Sequence, residues 1–394
     1  MEVIGMHNQN IIAISVIAFT LYSSVSAAQE NDTGISARLM GVLAHDDNIY
    51  RVTDEFAQAD SYLRLSPRLS TIGGVGKHRF SLIYNGDYAK FSDNDEANYN
   101  DHELSGRIDF SHSLRLNTTI EVGYQKDHED PGSINRIQLD ITEYNKFNQS
   151  YILTGLTYGS KNSIGLVTLN YKRTDKKYTT NNLDFWNFES DQIYGRFTVR
   201  VAPNTQVYAE AIIADYDYTP GTNFELDNSY NRYLAGVTWD FTGKLTGDLN
   251  IGYQERDYDL VSIEDISGLA YEAELTWNLN TYTKLVGGAK RESIDSTLDE
   301  AGGFLRNTYS INLNHELSER MKLVLGAAHT TDELVFISSR EDKRYDYQFG
   351  LEYDLMKNLA IAASYIYEER DSTQLTADFK ANIFSLTVIV SLED

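Results

Sequence analysis

Ser267-Gly-Leu-Ala-Tyr-Glu-Ala-Glu-Leu-Thr-Trp-Asn-Leu-Asn-Thr-Tyr282 sorts into two sets by position alone. Its odd positions carry Leu269, Tyr271, Ala273, Leu275, Trp277 and Leu279; its even positions carry Ala270, Glu272, Glu274, Thr276, Asn278 and Asn280. A β-strand sends successive side chains to opposite faces, so this stretch has an oily face with aromatic ends and a wet, charged face. Helical spacing would mix the two sets. An apolar flank bearing Tyr and Trp, backed by carboxylates, suits a strand standing between lipid and a water-filled lumen. The predicted fold class is all-β, a transmembrane antiparallel up-and-down β-barrel.

The same division recurs along the chain. Residues 345–355 place Tyr345, Tyr347, Phe349, Leu351, Tyr353 and Leu355 outward, and Asp346, Gln348, Gly350, Glu352 and Asp354 inward. Residues 102–110 set His102, Leu104, Gly106, Ile108 and Phe110 against Glu103, Ser105, Arg107 and Asp109. In the last expected strand, 377–392, Phe384, Leu386, Val388, Val390 and Leu392 alternate with Ser385, Thr387 and Ser391. The stretch 206–219 is ambiguous, because both of its faces carry apolar residues.

Strands are expected first at 34–45 and then at 59–72, after which a hairpin unit repeats. Tight turns are read at 73–77, 111–115, 159–163, 202–205, 242–245, 279–282, 318–321 and 354–358, a period of roughly 40 residues. Propellers share such a period, but a blade needs four short strands where each unit here holds two long ones. Eight hairpins, the first strand and the last one give about 18 strands, with 16 as the alternative; an even count returns both termini to one side. A secreted sandwich or solenoid also alternates, but its strands are shorter and its wet faces lack aromatic residues gathered at strand ends. Here Tyr233, Trp239, Phe241, Tyr253, Trp277, Tyr345, Tyr353 and Tyr365 fall where interface girdles belong.

A net charge of −24 argues against a nucleic-acid partner, which requires clustered Lys and Arg. Abundant Tyr (28) and scarce Pro (4) suit uninterrupted strands. The absence of Cys excludes disulfides and thiolate-bound metal. Residues 1–27 read as an export signal, with a short apolar run followed by Val25 and Ala27 before the cleavage point, although Glu2 and His7 stand where Lys or Arg is usual. Met6 is an alternative start. Residues 28–394 then form a single barrel domain placed in the bacterial outer membrane.

The wet face predicts a lumen lined by Glu103, Arg107, Asp109, Arg232, Asp240, Arg256, Glu272, Glu274, Asp346, Glu352 and Asp354. Its carboxylate excess predicts a preference for neutral or cationic solutes. Acidic loops at Asp46-Asp47-Asn48, Asp93 to Glu96, Asp127 to Asp130, Asp257 to Asp259 and Asp299-Glu300 either bridge through divalent cations to lipopolysaccharide phosphates or are simply solvated. None has the ligand spacing of a calcium loop. The chain holds no Gly-x-Ser-x-Gly elbow, no phosphate-cradling loop and no paired His of a zinc site. The reading is therefore no enzyme, no cofactor and no metal. Two segments, 131–141 and 178–185, are candidates to fold into the lumen.

The segments Gly41-Val-Leu-Ala-His-Asp-Asp-Asn-Ile-Tyr-Arg51, Ala59-Asp-Ser-Tyr-Leu-Arg-Leu-Ser-Pro-Arg68 and Gly76-Lys-His-Arg-Phe-Ser-Leu-Ile-Tyr84 resemble the opening of the putative β-barrel porin 2 family. Asp46, Asp47 and Asn48 carry the motif. The resemblance implies an outer-membrane barrel that takes part in export of extracellular polysaccharide beside a periplasmic export protein. A solute-uptake porin and a structural or adhesive barrel with a closed lumen are the alternatives. The chain departs from many barrel families in its ending, Val390-Ser-Leu-Glu-Asp394, which lacks a terminal aromatic residue.

Overall fold

In a computed structural model the strands close on themselves: β1 (Gly34–Asp46) pairs with both β2 (Asp60–Val75) and β18 (Phe379–Glu393). Between them follow β3 (His78–Phe91), β4 (Tyr99–Ser111), β5 (Leu116–His128), β6 (Lys146–Tyr158), β7 (Gly165–Tyr178) and β8 (Phe188–Ala202). Next come β9 (Thr205–Tyr218), β10 (Asn228–Asp240), β11 (Leu245–Tyr258), β12 (Ile266–Asn280) and β13 (Thr283–Asp295). The run ends with β14 (Gly303–Ser318), β15 (Met321–Val335), β16 (Glu341–Met356) and β17 (Leu359–Ser372). All 18 strands are antiparallel to neighbours in chain order. The structure describes residues 33–134, 143–160, 163–219, 226–240, 243–296, 302–335 and 340–393. The expected export signal, Phe241, Asp299-Glu300 and residues 135–141 lie outside them.

Each tight turn expected from the sequence joins an even strand to the next odd one, which puts these turns at one end of the barrel. Side chains hold several of them. Asp240 accepts from the Gly243 amide at 2.9 Å, Asn280 from the Tyr282 amide at 2.8 Å, and Ser113 from the Leu116 amide at 3.0 Å. Gly76 (φ 62°) and Gly243 (φ 66°) take left-handed conformations that side chains resist. The last strand begins at Phe379 rather than at 377, because Leu375–Ala377 winds into a single 3-10 turn.

The burial pattern is inverted relative to a water-soluble sheet. Along β16, Tyr347, Phe349 and Leu351 are 49, 45 and 37% exposed, whereas Asp346, Gln348 and Glu352 are 1, 4 and 1% exposed. Charged groups face in and apolar groups face out, the arrangement hydrocarbon demands of a closed sheet with no free edge. The ambiguous strand β9 keeps the rule: Val207 and Ile213 are exposed outside, while Ile212 and Ala214 are buried inside against Tyr230 and Tyr194. Both faces are apolar there because the lumen wall has its own small apolar cluster.

Strands of 13–16 residues climb about 33–41 Å at a tilt near 40°, more than the apolar band of about 25 Å. The surplus lies at the long-loop end. On β18 the outward series runs Lys380, Asn382, Phe384, Leu386, Val388, and on β17 the Tyr365 ring packs at a tilt against Phe384 with centroids 4.8 Å apart. Tyr345 stacks on His329 at 4.7 Å, and Tyr233, Tyr253 and Trp277 are outward and exposed. Trp239 lies over Gly247, where any Cβ would strike its ring, and Tyr353 faces outward near the tight-turn end.

Candidate functional site

The barrel's closing seam is where the Asp46-Asp47-Asn48 motif sits. Asp47 accepts from the backbone amide (2.6 Å) and side-chain amide (2.7 Å) of Asn382, and its own amide donates back to the Asn382 carbonyl at 3.2 Å. Asn48 donates to the carbonyls of Val52 (2.6 Å) and Lys380 (2.9 Å), so the motif ties the end of β1 to the start of β18. Asp46 turns inward, accepting from the Asn48 amide at 2.9 Å and from Arg51 Nη1 at 2.8 Å. Arg51 holds a left-handed backbone (φ 54°) and reaches Glu368 on β17 through Nε at 2.6 Å. Burial opposes its charge, but Asp46, Glu368 and Asp130 outweigh it and hold the guanidinium pKa well above its ordinary value.

From Arg51 a line of buried ions runs around the inner wall. Arg344 Nε donates to Asp346 at 2.9 Å and lies 3.3 Å from Glu368; Arg340 grips Asp342 and Arg306 grips Asp332 through paired contacts. Arg370, 4% exposed, donates to the carbonyls of Gly132 and Ser133 at 3.3 Å each. Those two residues belong to the loop that leaves β5. Counting through β18, β1, β2, β3 and β4, β5 is six steps from β17 in an 18-strand ring, so the described start of the loop, residues 129–134, runs from one part of the wall toward another across the lumen. Its Asp130 is buried beside this line; burial above all, then Glu368, raises its carboxyl pKa against the pull of Arg344 and Arg51.

The opposite wall is tyrosine-rich. Tyr151 donates to Glu121 at 2.7 Å and Tyr194 to Glu210 at 3.1 Å, while Tyr208 bonds Asp248. Cations cover the rings: the guanidinium of Arg196 lies 3.4 Å from the Tyr208 centroid, Arg256 lies 4.8 Å from that of Tyr230, and Lys172 lies 4.8 Å from that of Tyr151. Above them the end of β13 bends inward. Its Asp295 accepts from Tyr218, from Asn228 (3.1 Å) and from Tyr258 (3.2 Å), and it lies 3.6 Å from Arg256. A buried apolar cluster of Phe147, Tyr178, Trp186, Phe188, Leu226 and Ile263 roofs this side of the mouth, and the segment 178–185 joins it through Leu183.

Of the residues expected in the lumen, Glu103, Arg107, Asp109, Arg232, Arg256, Glu272, Glu274, Asp346, Glu352 and Asp354 occupy the inner face. Arg107 bonds Asp109, and Lys322 bridges Glu352 (3.1 Å) and Asp354 (3.3 Å). Asp240 instead caps the tight turn after β10, because it is the last residue of its strand. The reading by parity missed Arg64, Lys172, Lys176, Arg196, Arg306, Lys322, Arg344 and Arg370, which share the inner face. Extending the two-residue step from the acids already chosen reaches several of them, as Arg344 stands two positions before Asp346. Asp87, Glu210, Asp332 and Glu368 share that face too, so many of the lumen's carboxylates are held in ion pairs. Asp101, Asp127 and His128 bring ligand atoms within 4.8 Å of one another, but His128 Nδ1 is hydrogen-bonded to Asp101 at 2.8 Å, which accounts for the grouping without an ion.

No curated protein matches the chain in sequence. Among solved structures the chain is similar to OccK2 (OpdF) of Pseudomonas aeruginosa, at 10% identity and a TM-score of 0.54, covering 92% of this chain and 98% of that one. It is also similar to OpdK of the same organism, solved with vanillate, at 10% identity and a TM-score of 0.52, covering 92% and 99%. The FrpB iron transporter of Neisseria meningitidis matches at 11% identity and a TM-score of 0.51, over 87% of this chain and 62% of that one. At such identities these likenesses speak for the barrel alone. The family model described as "Putative beta-barrel porin 2" matches residues 35–392, and the chain therefore belongs to that family, as a porin-like barrel of the bacterial outer membrane.

Proposed function

We propose that this barrel is a selective diffusion channel for small polar solutes. The observation that carries the reading is the start of the loop after β5, residues 129–134, drawn into the lumen and held by Arg370 through the Gly132 and Ser133 carbonyls. A chord of chain across an aqueous lumen narrows it, and paired ions on both sides keep what remains hydrated. Selectivity in such a pore follows from width and from local charge rather than from the overall acidity of the chain. In liposome-swelling assays with graded neutral sugars, entry falls off sharply with solute size. Uniform passage of large oligosaccharides would remove the constriction from the argument, and no conductance in planar bilayers would favour a structural or adhesive barrel with a closed lumen.

A second reading, export of extracellular polysaccharide beside a periplasmic export protein, draws on the family resemblance and on the inward-facing Tyr151, Tyr194, Tyr208 and Tyr230. Sugars stack on open ring faces, whereas here Arg and Lys lie over the rings of Tyr151, Tyr208 and Tyr230. The diffusion channel is therefore the better-supported reading. Deletion of the gene separates the two: surface polysaccharide remains at wild-type level for a diffusion channel and is lost for an exporter. Outer-membrane lipid and lipopolysaccharide surround the outward face in either case.

A further inference from the structure

Three inward arginines use one edge of the guanidinium in the same way. Arg64 grips Asp87 through Nε (2.6 Å) and Nη2 (2.5 Å), Arg306 grips Asp332 at 2.5 and 2.8 Å, and Arg340 grips Asp342 at 2.8 and 2.5 Å. In each case the two parallel N–H groups meet the two oxygens of one carboxylate. In Arg232 that same edge makes no hydrogen bond. Its side chain is 3% exposed, and both Nε and Nη2 are buried without a hydrogen-bond partner. A buried donor left unmade is costly, so its persistence needs a reason.

The surroundings do not supply a hydrogen-bond partner. Across the ladder Arg232 faces Ile212 on β9 and Gln254 on β11. Gln254 is already committed, accepting from the Ser293 amide at 3.0 Å and donating to the Leu269 carbonyl at 3.4 Å. Glu210 is held by Arg196 at 3.6 Å and by Tyr194 at 3.1 Å. Glu272 comes within 3.7 Å of Nη2, too far for a hydrogen bond, and is 47% exposed to the lumen. It covers the edge without gripping it.

We infer that Arg232 is a binding site for a carboxylate carried by a permeating solute, with Glu272 as a displaceable cover. The solute's two oxygens take the Nε–Nη2 edge as Asp87, Asp332 and Asp342 take theirs, and Glu272 swings into the lumen. This rests on the lumen being a solute pathway, and it names one class that pathway accepts. The carboxylate comes either from a small organic acid or from a uronate unit of a longer polymer.

The test is calorimetric titration of the detergent-solubilised full-length barrel, which reads binding whether or not the barrel conducts. Glucuronate binds and glucose does not. Arg232→Lys, which keeps the charge and loses the fork, weakens glucuronate at least tenfold, and Glu272→Gln strengthens it severalfold. Equal binding of glucuronate by wild type and Arg232→Lys overturns the site. Should Arg232→Lys fail to fold, unchanged affinity in Glu272→Gln overturns it instead. Inorganic phosphate binding as tightly as glucuronate overturns the carboxylate assignment. Trigalacturonate binding far more tightly than glucuronate assigns the source to a polymer, and equal binding assigns it to small acids. Conductance in bilayers tests the channel reading separately, since a barrel that binds without conducting leaves the site standing and removes the pathway.

Discussion

Replacing Asp46 by Ala tests whether the family motif works as an electrostatic clasp. Asp46 is 4% exposed, and its carboxylate accepts from Arg51 Nη1 at 2.8 Å and from the Asn48 amide at 2.9 Å. Removing one partner of a buried pair costs about 3–5 kcal/mol, chiefly because the remaining charge is stranded. Arg51 keeps Glu368 at 2.6 Å, which places the expected loss at the low end, about 3 kcal/mol. Arg51→Met removes the other member and also leaves the left-handed residue without the contacts that hold it there. The double variant strands neither member of the Asp46–Arg51 pair, so the two single losses sum to about 2 kcal/mol more than the double loss.

The readout is equilibrium unfolding in denaturant from detergent micelles, followed by the fluorescence of Trp186, Trp239 and Trp277. Heat-modified gel mobility serves as an independent check on the same variants. If the two single losses add to the double loss within about 0.5 kcal/mol, the two residues are not coupled and the clasp is wrong. A loss below about 0.5 kcal/mol for Asp46→Ala would have the same force, since it is the scale of ordinary surface substitutions.

Three further outcomes follow from the same geometry. Arg370→Gln frees the Gly132 and Ser133 carbonyls and raises single-channel conductance in planar bilayers; an unchanged conductance would show that the loop is held elsewhere. Asp130 has a raised pKa when buried in the closed loop and an ordinary one when released, so protonation favours the closed form. Conductance therefore falls as pH drops from neutral through the raised pKa toward the ordinary carboxylate range, and Asp130→Asn stays at the low-pH level throughout. Gly252→Ala abolishes assembly, because its Cβ would lie 1.8 Å from the Tyr233 carbonyl oxygen, whereas Gly243→Ala, with nothing within 4 Å, costs only about 1–2 kcal/mol for its positive φ.

What the sequence disclosed was decided by the range over which each feature is set. Parity is local, so Leu269 to Leu279 and Tyr345 to Leu355 reveal their faces to anyone reading every second residue. Turn chemistry is local too, and all eight turns were legible from it. The clasp is not. Asp47 meets Asn382 across a separation of 335 residues, and Arg370 meets Gly132 across 238, and no window along the chain contains both partners. Asp46, Asp47 and Asn48 could be recognised as a motif, but their purpose appears only when β1 and β18 are side by side.

Charge shows the same limit in a sharper form, because a net figure for the chain does not tell how the lumen's charges are paired. The acids that make the chain strongly anionic include Asp215, Asp217, Glu189 and Asp257, all exposed on the outward side above the apolar band. Inside, many of the carboxylates are paired with Arg or Lys, and averaging over the chain conceals those pairs. A solute crossing the lumen responds to the pair it is passing, within a Debye length of about 8 Å, and not to the rim. At the level of Arg232 the guanidinium edge makes no hydrogen bond, and its carboxylate neighbour Glu272 stands 3.7 Å away. A filter deduced from the carboxylate excess of the wet face would thus disfavour the very anions that the proposed Arg232 site holds, and Arg232→Lys decides which account is right.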